Sequence, residues 1–130
     1  MNPIVHFEIL AGPGQDKKAL QDFYAKTFGW TIDASNPMGY GIAMPGGPQE
    51  QPGPPAEGIN GGIDAAEDRA KVLIYIGVDD PKAYLEKIRA AGGKVVQDVT
   101  VVPGMVTYAT FLDPAGNEVG IVDASGPPPA

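Results

Sequence analysis

The 130-residue chain holds one histidine, His6, and a glutamate, Glu8, stands two places after it in the run Val5-His6-Phe7-Glu8-Ile9. In a strand, residues i and i+2 face the same side, so imidazole and carboxylate stand next to each other. Such a pair can supply ligands to a divalent metal. It can also act as a general base with its orienting carboxylate, the glutamate tuning the imidazole towards working pH. The plain structural use is a polar pair bonded to itself or to nearby backbone. Other catalytic chemistry finds little footing. There is no cysteine, which removes disulfides and thiolate metal sites. The only serines are Ser35 and Ser125, one in a loop and one in the tail, and neither lies on a nucleophile elbow. Gly12-Pro13-Gly14 precedes a helical pattern but lacks the lysine and spacing of a phosphate loop.

Composition narrows the partners. With a net charge of −7 and no basic block, the chain is a poor match for nucleic acid and is suited to neutral or cationic ligands, or simply to staying in solution. No run approaches the roughly 18 apolar residues of a membrane span, and no signal-peptide pattern opens the chain. The cytoplasm is the expected location. Gly and Pro concentrate in Pro45–Gly58, PGGPQEQPGPPAEG, and in the tail SGPPPA. The first is expected to be a long loop able to act as a lid, and residues 125–130 a disordered tail.

The elements that must position His6 and Glu8 follow from periodicity. Residues 3–10 alternate as a strand. Asp16 opens a helix in which Leu20, Phe23, Tyr24 and Phe28 form one apolar stripe expected to face the core, and Gly29 stops it. Residues 30–33, 40–44 and 60–64 read as three strands. The order then recurs: a strand over 71–78, a helix from Asp80-Pro81 to Gly92-Gly93, and strands over 94–101, 105–112 and 117–123. The last two are joined by Asp113-Pro114-Ala115-Gly116-Asn117, a tight turn. The reading is α+β: two βαβββ modules, about 3–64 and 71–123, forming one pseudo-symmetric domain over residues 1–124. Neither half is large enough to bury a good core alone.

Three segments carry a resemblance. They are VHFEI with DFYAKTFGW, then YIGVDDPKAYLEKIRAAGGKVV, then TYATFLDPAGNEVGIV. They resemble the vicinal oxygen chelate superfamily, the glyoxalase, bleomycin-resistance and dioxygenase group. The resemblance covers nearly the whole chain outside the Pro-rich loop and tail. It implies curved sheets cupping a cavity, commonly in a homodimer, and in catalytic members a divalent metal held by four side chains from the first and last strand of each module. Carried over residue by residue, His6 matches one ligand place. The second falls near Leu73. The third, normally a glutamate four residues after the turn glycine, is Gly120, and the segment INGGID offers no clear fourth.

One ligand of four does not hold zinc or iron. Glu118, two residues from Gly120, shares its strand face, so His6, Glu8 and Glu118 remain as an alternative metal set. Without a metal, the loss of a glutamate at Gly120 clears room for an organic ligand. His6, Glu8 and Tyr75 would then be the polar groups, with Glu118 at the rim and Trp30, Tyr40, Met105 and Tyr108 as walls. Three functions remain open. One is a binding protein for a small molecule, needing no cofactor. The second is a lyase, isomerase or dioxygenase-like enzyme, with or without a divalent metal. The third is an interaction domain.

Overall fold

The computed structural model describes residues 1–48 and 58–130. Most of the Pro-rich stretch, residues 49–57, lies outside the described residues, and with it the lid expectation. The chain divides into two compact units, His6–Val72 and Met1–Val5 with Leu73–Ala130.

In the first unit, β1 (Ile4–Ala11) leads through α1 (Lys17–Phe28) to β2 (Thr31–Asp33), β3 (Gly41–Met44) and β4 (Gly61–Ala65), in the sheet order β2-β3-β4-β1. β1 runs parallel to β4, and the other neighbours are antiparallel. α1 starts where expected: the Asp16 carboxylate caps the Lys18 amide, and Gly29 ends the helix in the left-handed region at φ 70°. The second unit repeats the wiring. β5 (Lys71–Val78) leads through α2 (Pro81–Ala90) to β6 (Lys94–Val102), β7 (Val106–Leu112) and β8 (Glu118–Asp123), in the order β5-β8-β7-β6 with β5 parallel to β8. Val78, Leu85, Ala109 and Ile121 form its buried core beneath α2. In the turn before β8, the Asp113 carboxylate accepts from the Ala115 and Asn117 amides and from the Asn117 side chain. The tail returns to the β6–β7 turn, where the Gly104 amide donates to the Pro128 and Pro129 carbonyls.

The inward face of α1 differs from the apolar stripe. Phe23 and Phe28 are 53% and 60% exposed, whereas Gln21 is buried. Gln21 sets the rotation of the helix: its amide donates to the Gly39 and Ile63 carbonyls at 3.2 and 2.8 Å. At about 100° per residue, Phe23 is then turned to the far side. Phe28 falls on the last turn and stacks on Tyr24 rather than on the sheet. An apolar stripe takes no account of a buried side chain that satisfies two carbonyls, and here that side chain decides the outcome.

Candidate functional site

His6 and Glu8 share one face of β1, as alternation requires, and a third residue joins them. The Tyr40 hydroxyl lies 2.9 Å from His6 Nε2 and 2.9 Å from Glu8 Oε2. All three side chains are partly buried. Tyr40 is held from its backbone. Asn36 Nδ2 donates to the Tyr40 carbonyl at 2.6 Å, and the Tyr40 amide donates to Asn36 Oδ1 at 2.9 Å. The turn between them closes through the Gly39 amide on the Asn36 carbonyl, with Gly39 at φ 65°. Lys17 braces the same turn, donating to the Met38 carbonyl and pairing with Asp64 at 2.9 Å.

Tyr40 reaches His6 and Glu8 across β4, and Gly62 makes the crossing possible. Gly62 is in register with Glu8 on one side and Ile42 on the other. A Cβ on Gly62 would fall 1.7 Å from the Tyr40 hydroxyl oxygen and 2.0 Å from Cζ. The absent side chain is therefore the space the phenol occupies.

A phenol has one proton, and the Tyr40 hydroxyl donates it to Glu8 Oε2. Its oxygen is then an acceptor for His6 in the tautomer that carries its proton on Nε2. Burial lowers the His6 pKa below the ordinary 6.5 and keeps the imidazole neutral at pH 7. Because the folded value lies below the unfolded one, the unfolded chain binds a proton that the folded chain refuses in the window between them. Stability therefore falls as pH drops through 6.5 and levels off below the folded pKa. Urea unfolding between pH 7.5 and 5 is expected to show this decline in the wild type and not in His6→Gln. The absence of other histidines makes the comparison clean.

The remaining candidates lie in other settings. Trp30 stacks on Tyr24 at 5.3 Å and tilts against Phe7 at 5.6 Å. Phe7 points from the face of β1 opposite to His6. In the second unit, Tyr75 is buried, and its ring meets Tyr108 edge-on at 6.4 Å. It also fills the place above Gly120, where a Cβ would lie 2.2 Å from the ring. The room expected from a missing glutamate is thus taken up by Tyr75. Met105 is exposed beside the β6–β7 turn, and Glu118 opens β8 opposite Leu112. A cavity of about 600 Å³ in the first unit, lined by Ile9, Leu10, Leu20, Phe23 and Val72 among others, includes none of the expected site residues.

Among the described residues, no three His, Cys, Asp or Glu side chains are grouped so as to hold a metal ion. Within the pair itself, the phenol already occupies His6 Nε2 and Glu8 Oε2. Sequence reasoning treated Tyr40 as a wall and missed it as the bridge. The signal was the pair Gly61-Gly62 inside a short strand, which marks close approach of another group.

The fold and site define a glyoxalase-like arrangement of paired βαβββ units. The family model for the glyoxalase-like domain matches residues 13–122. A glyoxylase-like domain-containing protein of Didymella fabae is 30% identical over 125 residues, covering 88% of this chain and 90% of that one. Among solved structures, a glyoxalase/bleomycin resistance protein/dioxygenase superfamily member from Vibrio splendidus is similar with a TM-score of 0.57 and 13% identity, over 95% of this chain and 99% of that one. The Mn(II)-bound glyoxalase from Novosphingobium aromaticivorans gives 0.55 at 18% identity, over 99% of this chain and 42% of that one. This chain belongs to the glyoxalase-like domain family, within the vicinal oxygen chelate superfamily. Among the described residues, no helix is long and apolar enough to cross a membrane.

Proposed function

We propose that this chain binds a small organic molecule on the His6–Tyr40–Glu8 face and that it does so without a metal. The observation that carries this reading is the Tyr40 hydroxyl bonded to both His6 Nε2 and Glu8 Oε2. It engages His6 Nε2 and Glu8 Oε2 and presents a fixed polar surface for a neutral or cationic ligand. A homodimer sharing the cavity, as the family resemblance implies, belongs to this reading and is checked by sedimentation.

A second reading has its own support. The row Glu8, Tyr40, His6 can move protons in one direction. A proton taken at Nδ1 lets Nε2 release its own to the phenol oxygen as the phenol passes one to Glu8. That suits a metal-free lyase or isomerase, and the same face would hold the substrate.

The test is calorimetric titration of Zn²⁺ and Mn²⁺ into wild type and His6→Ala, with metal analysis of protein purified without chelator. No stoichiometric binding is expected. Stoichiometric binding abolished by His6→Ala would sink the metal-free reading and install a metal-dependent lyase or dioxygenase in its place. A thermal-shift screen of small organic compounds on wild type and Tyr40→Phe checks the ligand half: hits that stabilise both equally do not use this face.

A further inference from the structure

Lys17 and Asp64 form an ion pair whose bonding capacity is only partly used. Lys17 Nζ donates to Asp64 Oδ1 at 2.9 Å and to the Met38 carbonyl at 2.7 Å. An ammonium has three N–H donors, so one is left over. Asp64 Oδ2 has no partner among the described residues. Both groups are within reach of solvent, the two side chains being 35% and 27% exposed. The pair thus offers one donor on a cation and one acceptor on an anion, side by side. Its place in the fold sets it beside the His6 face. Gly62 is in parallel register with Glu8, and Asp64 with Leu10. By alternation Asp64 shares the face of Gly62, which is the face the Tyr40 phenol covers. Asp64 therefore stands one step, about 7 Å, along β4 from the bond between Tyr40 and Glu8. Lys17 is tied to the same arm, because the carbonyl it holds belongs to Met38, two residues before Tyr40.

We infer that Lys17 and Asp64 are the head-group subsite of this face and that they select a zwitterion of the α-amino-acid class. This rests on reading the His6 face as a binding site. The ligand ammonium donates to Asp64 Oδ2, and the ligand carboxylate accepts the remaining N–H of Lys17. Both bonds are charge-assisted, the stronger kind. The rest of the ligand extends along the face towards the Tyr40 hydroxyl. Discrimination follows from the signs. A ligand with only a cation leaves Lys17 unanswered and places a second positive charge beside it. A ligand with only an anion does the same to Asp64. A zwitterion answers both groups, so the pair repels the wrong ligands as well as attracting the right one.

Three matched probes test this. Phenylalanine carries both charges, 2-phenylethylamine only the cation and 3-phenylpropionate only the anion, on the same ring and spacer. Binding is followed by NMR on the Asp64 backbone amide and on the ring of His6, the one histidine of the chain. Phenylalanine is expected to move both sets of signals and to bind about tenfold tighter than either single-charge probe, the worth of one charge-assisted hydrogen bond. Asp64→Asn keeps an oxygen for Lys17 and removes the anion, and it is expected to erase the advantage of phenylalanine over 3-phenylpropionate. Persistence of that advantage in a folded Asp64→Asn would overturn the assignment. So would 2-phenylethylamine binding as tightly as phenylalanine, since Lys17 then reads nothing. Equal affinities for all three probes, with His6 signals moving each time, overturn the head-group subsite and leave the binding face standing. Silence from all three at millimolar concentration overturns the amino-acid class, and the metal titration and Tyr40→Phe screen then decide separately whether the face binds anything. Should Asp64→Asn fold poorly, the three probes on wild type still decide.

Discussion

Gly120→Glu is expected to destabilise the protein by about 3 kcal/mol or more, lowering the melting temperature by on the order of 10 °C, and to create no metal site. The position is the one to which the family resemblance assigns a metal-binding glutamate, so the opposite result is the natural hope. The packing argues against it. Gly120 is buried, in register with Tyr75 on one side and Thr110 on the other, and both of those residues are buried as well. The first carbon of any side chain would lie 2.2 Å from Tyr75 Cδ2 and Cε2. The ring must leave, and a buried aromatic that leaves gives up its contact with Tyr108 and much of its burial. A carboxylate then needs a partner in the same place, or an uncompensated charge is added to the overpacking. Urea unfolding measures the loss, and zinc calorimetry on the same variant checks the metal. A variant as stable as wild type that binds one equivalent of zinc would show that the Tyr75 ring is only a lodger in an intact metal site.

The order of elements was legible because each boundary carries a local chemical signal. Asp16 and Asp80 cap their helices, Gly29 takes a left-handed turn, and Asp113 organises the turn before β8, all within a few residues of chain. The face shared by His6 and Glu8 was legible for the same reason, since alternation is a local rule. What escaped was long-range. Tyr40 is 34 residues from His6, and nothing near it in sequence announces a bond to both His6 and Glu8. The rotation of α1 is set by Gln21 reaching carbonyls 18 and 42 residues away. Gly120 was read as a gap that gives room to a ligand, whereas there, as at Gly61 and Gly62, the vacated space is filled by the protein's own aromatic rings. A glycine in a strand says that something approaches closely. It does not say what, because the approaching side chain comes from another strand.

Gly62→Ala tests that lesson at the site itself and is expected to cost about 2–4 kcal/mol of stability and to abolish binding on the His6 face. The three atoms nearest to the added methyl all belong to Tyr40, at 1.7, 2.0 and 2.5 Å, so the phenol cannot stay. Its removal breaks the bonds to His6 Nε2 and Glu8 Oε2 together, and two partly buried polar groups lose a partner in one step. A thermodynamic cycle separates this from a general penalty for filling β4. In a Tyr40→Ala background, the added methyl has no phenol to meet, so the second substitution should cost little, and the coupling between the positions should be about 2 kcal/mol. Tyr40→Phe adds a sharper comparison, since it keeps the ring over Gly62 and deletes only the hydroxyl. Its expected loss is about 1–2 kcal/mol, with the fold intact. If Gly62→Ala costs as much in the Tyr40→Ala background as in wild type, the glycine serves the strand rather than the phenol. The bridge between His6 and Glu8 would then owe nothing to the pair of glycines that precedes Ile63.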